Sequence, residues 1–176
     1  MDVLVVLEDR PEHSTVLAHV NSVPASLDSE RPSREVVTLF GDPTPETLAL
    51  ALAVAVEAQR EPVGRSDVIR HVALWPERGA VGDAAWREPS GQLRSTDVGI
   101  PMAVLRDTAE SLLAEGGSVI RRLVAGLRMT DWPEGSRRAI TFSLSPALAP
   151  SASGSHDAML DSYRQANGID FDLDGD

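Results

Sequence analysis

Five short aliphatic runs set the limits on what this chain can build. They are Val3 to Leu7, Glu35 to Phe40 (EVVTLF), Ile69 to Trp75 (IRHVALW), Ser118 to Val124 (SVIRRLV) and Ala139 to Leu144 (AITFSL). Each is too short for a typical helix and long enough for a buried strand. Helix-like segments alternate with them. Asp9 and Glu12, with Pro11 in the first turn, read as a helix start, and Val16, Leu17 and Val20 continue at helical spacing. The stretch from Asn21 to Arg34 reads as a loop. Gly41-Asp42-Pro43-Thr44-Pro45-Glu46 is a stop and start signal, with Thr44 as cap, Pro45 at the first helical position and Glu46 complementing the dipole. Leu48 to Ala58 alternates Leu and Val with Ala, but alanine favours helix and the run exceeds a strand.

A Gly- and Pro-containing stretch to Asp97 reads as a connection. Met102, Leu105, Ala109, Leu112 and Leu113 then mark one helix face, with Gly116-Gly117 as its stop. A last helix is expected from His156 to Asn167, followed by the acidic tail IDFDLDGD. Strands alternating with helices predict an α/β fold. The expected form is a Rossmann-like, doubly wound, mainly parallel sheet of about five strands with helices on both faces. Residues 1–155 would form this one domain, with 156–176 as its C-terminal helix and tail.

Composition removes several chemistries. There is no cysteine, so disulfides, thiolate nucleophiles and cysteine zinc sites are excluded. There is no lysine, and all 16 basic residues are arginine. That excludes a Walker P-loop and Schiff-base catalysis. A net charge of −11 would be repelled by nucleic acid and by anionic membranes, so neither is an expected partner. No apolar run approaches the roughly 20 residues needed to cross a bilayer. MDVLVVLED lacks the basic start and cleavage site of a signal peptide. The expected location is the cytoplasm.

Three stretches resemble the short-chain dehydrogenase/reductase family: VVTLFGDPTPETLALALAVAVE, SDVIRHVALWPERGAVGD and STDVGIPMAVLRDTAESLLAEGGSVI. The resemblance runs from Val36 to Val124, about half the chain. The resemblance is to the family's strand, aspartate and helix, its central strand, and its long helix before a diglycine. The family's functional motifs are missing. The glycine-rich turn is replaced by LEDRPEHS, whose Glu8, Asp9 and Glu12 would repel a pyrophosphate. Ala73-Leu74-Trp75 stands in place of the Asn-Ala-Gly. The helix asparagine corresponds to Asp97. The serine strand reads RRLVAGLRM, and the Tyr-x-x-x-Lys pair is reduced to Tyr163 and Asn167. The resemblance thus implies a degenerate, shortened member with no nicotinamide cofactor.

Other constellations are incomplete. Asp170, Asp172 and Asp174 copy the first half of an EF-hand loop, but the twelfth-position glutamate is missing. His13, His19, His71 and His156 lack helical metal-ligand spacing, and no metal site is expected. The serines from Ser143 to Ser155 read as loop composition beside His156. Arg121, Arg122, Arg128, Arg137 and Arg138 form a basic island that includes Trp132. Arginine suits carboxylates and phosphates, so the island is either solvated surface or a dock for an acidic protein, an acyl carrier or a small-molecule ligand. The expected function is that of a noncatalytic subunit or binding partner in a bacterial biosynthetic complex, paired with an active reductase or with itself. Met102, Leu105 and Leu112 would supply the interface, and Arg121, Arg122, Arg137 and Arg138 the charged contacts. The alternative is a small cofactor-independent acid–base enzyme (cyclase, dehydratase or isomerase) using Asp97, His71 and Tyr163.

Overall fold

The computed structural model describes residues 2–23, 34–60, 68–129 and 138–144. Its elements in chain order are β1 (Asp2–Glu8), β2 (Ala18–Val23), β3 (Arg34–Phe40), α1 (Pro45–Arg60), β4 (Ile69–Trp75), β5 (Gly79–Arg87), β6 (Leu93–Ile100), α2 (Met102–Leu127) and β7 (Arg138–Ser143). The strands form one sheet in the order β6-β5-β4-β2-β3-β1-β7. Only β1 and β3 run parallel, and every other neighbouring pair is antiparallel.

This overturns the doubly wound parallel expectation. The helices do not alternate across the sheet. They pack on each other, with Thr108 Oγ1 donating to Glu57 Oε1 at 2.5 Å. Near the other ends of the pair, Arg128 bridges Asp42 at 3.2 Å. The N-terminal end of α1 thus meets the C-terminal end of α2, and the two helices are antiparallel.

Three segments caused the error. The end of the segment read as a first helix and the start of the one read as a loop together form β2 (Ala18–Val23). The chain turns at Pro11–Ser14, with His13 at φ 62 and the Ser14 amide donating to Pro11, and returns as a strand. There Ala18, Val20 and Ser22 are buried while His19 and Asn21 are half-buried, which is a period of two. The segment read as a connection is the β5–β6 hairpin, closed by Glu88 and Gln92 with Gly91 at φ +84. The segment read as a fourth strand, Ser118–Val124, is the second half of α2. Val119, Ile120, Leu123, Val124 and Leu127 are buried at helical spacing. Gly116 departs from helical angles (φ −121, ψ 19) and kinks the helix without ending it.

Register fixes what each face carries. Ile140, Val5, Val37, Val20, Val72, Gly82 and Val98 form one row across all seven strands. Its six side chains are buried, and they belong to the same core cluster as the residues of α1 and α2. Between Leu48 and Ala55 every residue of α1 except Leu50 is buried, as suits an apolar helix between a sheet and a second helix. Among the described residues no helix covers the other face of the sheet.

One row of the covered face is polar. Glu35, Ser22 and Arg70 are register partners on β3, β2 and β4, and all three are buried. The Ser22 hydroxyl lies 2.8 and 2.9 Å from the Glu35 oxygens, and Gln59 Nε2 donates to Glu35 at 2.7 Å. Arg70 donates to Ser22 Oγ at 3.2 Å and sits 4.0 Å from Glu35. The bonds satisfy groups that would otherwise be costly to bury. They also lock the register of three strands to the end of α1, because a one-residue slip would turn the cluster to the opposite face.

Among the described residues no helix is long and apolar enough to cross a membrane. The expected helix over residues 156–167, and with it Tyr163, Arg137 and the acidic tail, lies outside the described residues.

Candidate functional site on the helix-free face

The helix-free face is built from alternate residues of the same strands. Thr141, Leu4, Val36, Asn21, His71, Asp83 and Asp97 form one row across it. Ala139, Val6, Thr38, His19, Ala73, Val81 and Gly99 form the next. The polar half of the first row lies on β2, β4, β5 and β6. It contains two of the residues singled out from sequence, His71 and Asp97, and adds Asn21 and Asp83.

His71 is held by its neighbours. Asn21 Oδ1 accepts a hydrogen bond from His71 Nδ1. The His19 ring meets it edge to face, with centroids 5.7 Å apart, and packs in the same manner on Phe40 at 5.2 Å. Burial holds the His19 pKa below the usual histidine value. The nearby His71 lowers it further, and Glu8 opposes the shift.

Asp83 and Asp97 are direct register partners, and Asp83 is in turn the partner of His71. Neighbouring strands are about 4.8 Å apart, so His71 and Asp97 are about 10 Å apart along the row. Asp83 intervenes, and neither aspartate takes part in an ion pair among the described residues. Both are exposed. Ile69, Val81 and Leu93 are exposed to 55%, 49% and 64%. By register these three share the helix-free face with Asp83 and Asp97. Among the described residues no group of three or more His, Asp and Glu is placed to hold a metal ion.

The sequence-derived interface residues lie elsewhere. Leu105 and Leu112 are buried in the core, and Met102 packs against it half-buried. Those side chains are used inside the chain and leave no apolar stripe for a partner. The arginine island divides. Arg121 and Arg122 are exposed on α2, and the Arg121 guanidinium lies over Gly117. Arg128 and Arg138 instead line a cleft at the ends of β1 and β3.

Asp83, Asn21 and His19 were missed because their partners are one strand away in space and far away in sequence. The signal that could have found them is the period-two alternation of AHVNSV and of AVGDAAWR. No family model, curated protein or solved structure matches this chain.

Proposed function

We propose that this protein is a noncatalytic binding domain that docks a basic, partly apolar segment of a partner protein on the helix-free face of β4, β5 and β6. The observation that supports it is the Asp83–Asp97 pair with exposed Val81 in the next row and exposed Ile69 and Leu93 farther along the same face. Like charges directly opposed on adjacent strands destabilise a sheet. Apolar side chains grouped on an exposed face lose free energy to water. Both costs are relieved by one kind of partner, which brings arginine or lysine to the carboxylates and aliphatic side chains to the rest. Asn21 and His71 extend the same row with hydrogen-bonding groups. The row lies on a face that no helix covers among the described residues.

The test uses a defined probe, a short peptide alternating arginine with leucine, titrated into the full chain by calorimetry. Binding should weaken as salt rises. The Asp83→Asn/Asp97→Asn double variant should bind about fivefold more weakly, as expected for the loss of about 1 kcal/mol in exposed pairs. Equal binding by wild type and double variant would remove the face from consideration.

A further inference from the structure

A second site of different character lies at the end of the sheet where β1 and β3 finish side by side. A cleft of about 670 Å³ opens there, lined by Leu7, Glu8, Asp9, Gly41, Asp42, Pro43, Arg128 and Arg138. Its position follows from topology. β1 and β3 are the one parallel pair, so their C-terminal ends and the turns after them face the same side, the place where open sheets with parallel strands receive ligands. The Gly41 amide donates to the Glu8 carbonyl at 3.0 Å and ties the two turns together. Gly41 adopts φ +82, and the Arg10 guanidinium packs over it.

The lining carries charges of both signs. Asp42 and Arg128 satisfy each other at 3.2 Å and form one wall. Arg138 stands opposite Leu7 at the start of β7, and among the described residues it has no ion pair. Glu8 and Asp9 have none either. Two helix ends add to the pattern. α1 begins just past Pro43, where the Thr44 hydroxyl accepts from the Thr47 amide at 3.1 Å. α2 ends at Arg128, whose amide donates into the last turn. The first end carries partial positive charge and the second partial negative charge.

A simple anion in this cleft would meet Glu8 and Asp9, and a simple cation would meet Arg138. A ligand carrying both charges a few ångströms apart meets favourable partners at both ends. The volume is within the range of small-molecule sites. We propose that the cleft binds a small zwitterion of the free α-amino acid class, its carboxylate on Arg138 and its ammonium group on Glu8 and Asp9. The cleft lies at the end of β1 and β3, away from β4, β5 and β6, and does not depend on the docking role proposed for those strands.

The experiment titrates the full chain with each of the common free amino acids, their N-acetyl derivatives and their amides, read by calorimetry. At least one free amino acid should bind, with its acetylated and amidated forms each about tenfold weaker because each lacks one charge. Arg138→Gln should weaken the free amino acid about tenfold, and Glu8→Gln with Asp9→Asn should do the same. These residues are exposed, so circular dichroism should show the variants folded. Asp83→Asn/Asp97→Asn should leave amino-acid binding unchanged. The proposal is overturned if no free amino acid binds, if a blocked form binds as well as its parent, or if Arg138→Gln has no effect.

Discussion

Asp83 on β5 and Asp97 on β6 face each other as register partners on the uncovered side of the sheet, with no cation paired to either among the described residues. A pair of this kind lowers the stability of the isolated chain. Asp83→Asn should therefore raise stability by about 0.2–1 kcal/mol, the size of one cross-strand pair. Urea unfolding at low ionic strength measures it, and the gain should shrink in high salt. The same variant should bind the arginine–leucine peptide more weakly. A variant that is less stable than wild type would show that Asp83 has a favourable partner.

The buried Glu35 gives a second test. Burial pushes its carboxyl pKa up, against the opposing pull of Ser22, Arg70 and Gln59. With the folded value above the unfolded one, the native state binds the proton more tightly. The contribution to stability is fully present below the unfolded value and is lost as pH rises through the folded value. Stability profiles from pH 4 upward should show that loss in wild type relative to Glu35→Gln, whose side chain does not titrate. Profiles that run parallel across the whole range would contradict the upward shift.

Gly82 tests the close approach of two strands. A Cβ at this position would stand 2.0 Å from the His71 carbonyl oxygen and 2.7 Å from the Val72 Cα, both backbone atoms of β4. Neither can rotate away. Gly82→Ala should cost about 2–3 kcal/mol, the upper part of the usual range for single substitutions. It should also disturb the row that carries His71 and Asp83. Gly99→Ala, where nothing lies within 4 Å of the added carbon, is the matched control and should cost much less.

Legibility in the sequence divided along a physical line. β1, β3, β4 and β7 were readable because each is an aliphatic run buried in the sheet. The start of α1 was readable because Thr44 and Pro45 are local signals, and the cap bond is present. β5 and β6 were not, because the second has an exposed face and edge and reads as polar loop. Ser118 to Val124 reads as a strand because an aliphatic run with two arginines suits a strand or a helix equally, and the diglycine before it suggests a stop. Tertiary packing decided otherwise: Gly116 and Gly117 are buried in α2, where small residues let packed elements approach. Sheet order was the larger loss. Helix alternation implies crossovers, but the β5–β6 hairpin depends on the turn at Glu88–Gln92, and after the turn at Pro11–Ser14 the chain enters the sheet between β3 and β4 as β2. His71 and Asp97 were found by residue type alone, and only register shows that Asp83 lies between them.

The two imidazoles on the uncovered face give the last prediction. His19 resists protonation first because it is partly buried and then because His71 is beside it, while Glu8 pulls the other way. Its folded pKa lies below the unfolded value of about 6.5. The neutral ring is favoured in the native state, so its contribution to stability is present above the unfolded value and is lost as pH falls through the folded one. Each cause can be removed separately. His71→Gln removes the repelling charge and should raise the His19 midpoint. Glu8→Gln removes the attracting one and should lower it. Proton NMR of the His19 ring, followed through the titration in wild type and in both variants, reads the shifts directly. Movement of the two midpoints in the same direction, or no movement in either, would mean that burial alone sets the His19 pKa and that the rings titrate independently.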